Sequence, residues 1–167
     1  MVRVYLALYK GKAAINTPRD VVKRIADSVV RLATCSPYSH CEIAVKHPCD
    51  SLFDCYSSSA RDGGVRIKTM PLPADKWDLI PLPQSVAISA SRLFHRTHGA
   101  GYDWLGAIGV VLKSPHSKSR WFCSEWCAYV IGYTNPCRYS PQTLYAAVST
   151  KDRPSKKRKQ SNLESFK

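Results

Sequence analysis

Long apolar runs are missing from this chain. The longest, Leu105 to Leu112, is interrupted by Gly106 and Gly109 and falls well short of the ~20 residues that cross a bilayer, which excludes a helical membrane span. At the start, Met1 to Tyr9 carries no charged leader, apolar block or small-residue cleavage site, so a cytoplasmic protein is expected. Seven cysteines is an odd count that argues against a closed disulfide framework, and reduced thiols are expected. The tight two-residue spacing of a zinc knuckle is also absent. Five residues separate Cys35 from Cys41 and Cys49 from Cys55, and three separate Cys123 from Cys127, so no metal is expected. No internal repeat is visible.

Acids are scarce. Twelve Asp and Glu face 25 Lys and Arg, a net charge of +13 at pH 7. Residues 151 to 167 hold seven of those cations and two acids. A solvated tail accounts for Pro154-Ser155-Lys156-Lys157-Arg158-Lys159; the functional alternative is a weak contact with an anionic partner, whether nucleic acid, anionic lipid or an acidic protein. No aromatic residue interleaves with the cluster, so base stacking is not indicated. At 167 residues and 44% hydrophobic the chain is long enough for one core. The expected division is one domain over 1–149 and a basic tail over 150–167.

Periodicity gives the elements. Val2 to Tyr9 reads as a strand, and Thr17-Pro18 opens an amphipathic helix running to about Ala33. Ser39 to Lys46 alternates as a strand does, with Cys41, Ile43 and Val45 on one side and His40, Glu42, Ala44 and Lys46 on the other. Further strands are predicted at Leu52–Ser57, Val65–Met70 and Trp77–Leu82, with a turn at Asp62-Gly63-Gly64. Gln84 to His98 is helical, with Val86, Ile88, Ala90, Leu93 and Phe94 as its apolar positions. A basic loop, Lys113 to Arg120, leads into a third helix at Cys123 that ends at Gly132, and Ser140-Pro141 starts a fourth. Strand, helix, strand meander, then helices is an α+β order.

Cys123 opens its helix, with Ser124 as the expected N-cap and Glu125 in the first turn. The unpaired N–H groups and the positive dipole end at such a place favour an anion, and the thiolate is the nucleophilic form of cysteine. A buried, inert cysteine is the plain alternative. A cysteine nucleophile needs an imidazole nearby and a polar group to hold the ring. His40 supplies the imidazole. The orienting group is either Glu42, close along the same strand, or Asp54, on an adjacent strand; Tyr56 and Ser58 are weaker candidates. His47, His95, His98 and His116 have no comparable context and are expected to be exposed.

Ser39-His40-Cys41-Glu42-Ile43, followed by Phe122-Cys123-Ser124-Glu125, resembles the circularly permuted NlpC-type branch of the papain-like superfamily, in which the histidine strand precedes the nucleophile helix. Gly63-Gly64-Val65, Gly99 through Tyr102-Asp103-Trp104 and Gly106, and Ser140-Pro141 with Leu144 resemble further elements of that branch, so the likeness spans roughly 2–148. The resemblance implies an antiparallel sheet meander packed against a nucleophile-bearing helix, with Cys123 as nucleophile and His40 as general base. Relatives include amidases and peptidases of cell-wall-type peptides and acyl-moving relatives of lecithin:retinol acyltransferase. The departures are an unassigned third group and Cys127, one turn from Cys123. The expected function is a cysteine hydrolase of a peptide, amide or ester, with no cofactor. The alternatives are an acyltransferase of the same fold, or a binding protein that uses its basic surface and tail.

Overall fold

The computed structural model describes residues 2–11, 28, 31, 36–49, 51–107 and 119–150. All but residues 28 and 31 of the helix expected over 17–33, most of the basic loop and the basic tail beyond residue 150 lie outside them. The fold is mixed α+β. Strands β1 (Arg3–Tyr9), β2 (His40–Lys46), β3 (Leu52–Ser59), β4 (Gly64–Pro71) and β5 (Trp77–Leu82) form one antiparallel sheet in the order β4-β3-β2-β1-β5. Among the described residues, helices α1 (Ser85–Thr97), α2 (Cys123–Ile131) and α3 (Pro141–Ser149) follow, with a 3-10 turn at Pro136–Arg138 between the last two. No helix among the described residues is long and apolar enough to cross a membrane.

Both faces of the sheet are covered, and strand alternation decides what goes where. Leu6, Leu8, Cys41 and Ile43 join Trp126, Cys127 and Leu144 in the main core. Burying this many large apolar side chains, each contributing about 1.5–3 kcal/mol, is what fixes α2 on the sheet. The opposite face, read from sequence as the polar side of β2, is also closed: Ala7, Tyr9, Ala44, Phe53, Cys55, Leu72 and Trp77 form a second cluster there. Glu42 on that side is 1% exposed.

Two local expectations are corrected. Ile88 is 58% exposed, because Val86, Ala90 and Leu93 define the buried stripe of α1 and Ile88 falls outside it. Ser124 is not the N-cap of α2. Phe122 occupies that position with extended backbone, and its N–H donates to the Glu125 carboxylate at 3.5 Å. Cys123 is therefore the first helical residue. At the other end Gly132 takes the left-handed conformation, φ 93°, as a C-cap glycine does. Ser140 caps α3 as the Ser-Pro pair predicts, accepting from the Thr143 N–H.

The segment ahead of the α2 loop is laced to the sheet. Val65 N–H donates to the Ala100 carbonyl and Tyr102 N–H to that of Gly63, while Trp121 N–H donates to Gly101. These bonds set Tyr102 beside the start of α2. They also bring backbone so close that a Cβ at Gly64 would run into the Ala100 carbonyl oxygen, whereas one at Gly63 meets nothing. Gly63→Ala is expected to cost about 1 kcal/mol for its positive φ alone. Gly64→Ala should cost more, at least about 2 kcal/mol. Urea unfolding checks the order; equal midpoints for the two variants would refute the close approach.

Candidate active site

His40 is the first residue of β2 and Cys123 the first of α2, and the packing of α2 on the sheet brings the two together. The His40 ring lies within interaction range of the Cys123 sulfur on one side and, through Nε2, hydrogen bonds to Glu42 Oε1 at 3.0 Å on the other. Nδ1 is thus left for the sulfur. Glu42 is in turn held by both arms of Arg66, with Nη2 to Oε1 at 2.8 Å and Nη1 to Oε2 at 3.0 Å. Arg66 also donates through Nε to Asp62 at 2.9 Å and through Nη1 to the Cys55 carbonyl. Every oxygen of the buried carboxylate has a charged partner, the condition under which such a group is tolerated.

The two candidates for the orienting group separate by strand parity. Asp54 pairs across the ladder with Val45, so it lies on the sheet face opposite to His40 and Glu42. There it accepts from Thr69 Oγ1 at 2.6 Å and meets His47 Nε2 at 3.0 Å. His47 was expected to stand without such a contact; instead it is Asp54's partner and is half-buried. Ser58 donates to the Trp121 carbonyl at 2.7 Å, and Tyr56 stacks edge-on against Phe94. Glu42 alone among these groups touches His40.

The electrostatics follow from this geometry. For Glu42, burial would raise the pKa, but the bonds from His40 and Arg66 outweigh it and hold the carboxyl at about 2. For His40, burial works towards a lower value. The charge of the Cys123 sulfur and the bonds to it and to Glu42 overcome that and lift the ring to about 10. For Cys123, a hydrogen bond from the Cys41 thiol, with the charge and bond of His40 and the Cys41 backbone, prevails over burial and puts the thiol well below its ordinary value. The ring is thus favoured as imidazolium at neutral pH, and the sulfur is biased towards the thiolate. Burial pushes Cys41 and Tyr102, both hydrogen-bonded to that sulfur, the other way, so each stays protonated as a donor.

A cavity of about 290 Å³ opens onto this group, lined by His40, Glu42, Arg66 and the rings of Tyr9, Trp77, Tyr102 and Trp104. Cys123 is 4% exposed and is not itself among the residues that line the cavity, whereas its neighbours His40 and Tyr102 are. Arg66, Tyr102 and Cys41 were not singled out as site residues from the sequence. The alternation of β4, which sets Arg66, Lys68 and Met70 on one side, was the available signal for Arg66. For Cys41 it was adjacency to His40. Among the described residues no group of three or more His, Cys, Asp or Glu could hold a metal ion.

Compared with family models, with curated proteins and with solved structures, the chain finds no match.

The Glu42 pKa has a consequence for stability. A carboxyl held near 2 in the fold and near 4.5 when free stabilises the fold fully above about pH 4.5, and that contribution is lost as pH falls towards 2. The difference is on the order of 3 kcal/mol. Glu42→Gln removes the titration, so its unfolding free energy should vary less than the parent's over that interval. Parallel acid profiles would count against a paired, charged Glu42.

Proposed function

We propose that the protein is a cysteine hydrolase that cleaves an amide or ester through an acyl-enzyme on Cys123. The observation that carries this reading is the chain of contacts Cys123–His40–Glu42, with the thiol lowered and the imidazole raised. A thiolate–imidazolium pair held by a carboxylate is a nucleophile and a proton donor in one unit. The order of histidine strand before cysteine helix, on an antiparallel sheet, fits a permuted papain-like arrangement of the NlpC type.

The chemistry runs as follows. The Cys123 thiolate adds to the carbonyl carbon, and the carbonyl oxygen takes up the negative charge. Two donors are available for it: the backbone N–H of Cys123, unpaired at the first position of α2, and the Tyr102 hydroxyl beside the sulfur. His40, protonated at the start, gives its proton to the leaving nitrogen or oxygen as the C–N or C–O bond breaks, which leaves a thioester. The neutral ring then takes a proton from water, hydroxide adds to the thioester, and the thiolate departs. Glu42 keeps the ring in one orientation and tautomer throughout, acting through His40.

Aromatic walls and the cations Arg61 and Lys68 at the same cavity favour a substrate with an apolar or flat portion next to an anionic one. Exposure of the full chain to p-nitrophenyl esters, followed by peptide mapping, tests the reading. An acyl group is expected on Cys123 rather than on the exposed Cys49 or on Cys137. His40→Ala should slow its formation by about 10²–10⁴-fold. Acylation spread evenly over the thiols, or unaffected by the His40 substitution, would overturn it.

A further inference from the structure

The sulfur of Cys123 has a second thiol against it. Cys41 follows His40 in β2, but its side chain points to the other face, into the main core, where it packs in one cluster with Cys123 and Cys127 and lies close enough to interact electrostatically with both. Three free, buried thiols thus meet at one spot. Cys41 and Cys127 are each 0% exposed. The acyl-transfer chemistry uses neither. A thiol packed against a nucleophilic sulfur is more than core filler, because its position suits it to capture the oxidised form of its neighbour.

We propose that Cys41 is a modification site, the resolving thiol of a reversible Cys41–Cys123 disulfide formed when a peroxide enters the cavity. The Cys123 thiolate attacks one peroxide oxygen; the O–O bond breaks, hydroxide leaves, and the sulfur becomes a sulfenic acid. The Cys41 sulfur then displaces the sulfenic hydroxyl, its own proton leaving with that group as water, and the S–S bond closes. The two thiols together lose two electrons and the peroxide gains them. A small-molecule dithiol reverses the step by exchange.

Three features of the structure favour this pairing. Cys123 is the member of the trio next to His40 and Tyr102, which line the cavity, so a water-sized oxidant reaches it first. Cys41 shares the core cluster with Cys123 and is its largest electrostatic neighbour, and it comes from a strand, whereas Cys127 lies on the same helix one turn on. Cys41 is 0% exposed, so a thiol in solution does not reach it as readily as its neighbour in the core does. The disulfide needs only the free thiolate and its neighbour, so the proposal stands whether or not acyl transfer is the reaction of Cys123.

The test is treatment of the full chain with equimolar hydrogen peroxide, blocking with N-ethylmaleimide, and peptide mapping without reduction. The expected product is a linked pair of peptides containing Cys41 and Cys123, which dithiothreitol separates. In Cys127→Ala the same pair should form. In Cys41→Ser the link should disappear and Cys123 should proceed to sulfinic acid, which dithiothreitol does not reverse. A Cys41–Cys127 link, or sulfinic Cys123 with Cys41 unmodified in the parent chain, would overturn the proposal. The parent mapping decides the matter even where a variant fails to fold.

Discussion

The site depends on one buried carboxylate. A charge taken out of water costs several kcal/mol unless it is fully paired, and Glu42 is paired on both oxygens by the guanidinium of Arg66 and the ring of His40. The pairing links three strands. Arg66 on β4 opposes Ser57 on β3, and Ser57, small and wholly buried, leaves the space across which the arginine reaches β2. A larger side chain there would obstruct the bidentate clamp. Sheet order, a small residue on the intervening strand and a planar fork of donors are thus all required for the one ion pair.

From that carboxylate outward the charges alternate: Asp62 negative, Arg66 positive, Glu42 negative, His40 positive, Cys123 negative. Each member stabilises the charged form of the next, and the α2 N-terminus adds its partial positive charge at the sulfur end. Such a row resists change at its interior. Protonating Glu42 would leave Arg66 and His40 facing a neutral group, and losing the proton from His40 would leave two anions with less between them. The perturbed state of Cys123 is accordingly a property of the whole row and not of its position on a helix alone.

Much of this was legible in the chain. Alternation in Ser39–Lys46 and the abrupt start of an apolar segment at Cys123 are local patterns, and they singled out His40 and Cys123, which the fold brings together, along with the mixed α+β order. The choice between Glu42 and Asp54 was not local. It required the β2–β3 register, which sets Asp54 against Val45 on the other face. Arg66 required the sheet order as well, and Tyr102 required the backbone bonds that tie 100–102 to β4 and Trp121. The Ser124 reading failed by two residues because an extended apolar residue, Phe122, supplies the cap position, and the first-turn Glu125 answers its N–H. The burial of the His40 face was missed because Glu42 is a charged residue, and charges are seldom fully buried unless paired.

The two sides of the Cys123 sulfur would divide its proposed chemistry. Towards the cavity stand His40 and Tyr102, a proton carrier and a neutral donor, which is the equipment acyl transfer needs. Towards the core stands Cys41, also a neutral donor, but one whose sulfur can bond to an oxidised partner. In the reduced protein both sides act alike, since each donates to the same negative charge and helps to keep it. They diverge once the sulfur is occupied. An acyl group needs space on the cavity side, and a disulfide needs none, because its partner is already in place. One atom cannot serve both at once, so the hydrogen bond that stabilises the nucleophile is also the contact through which it would be disarmed.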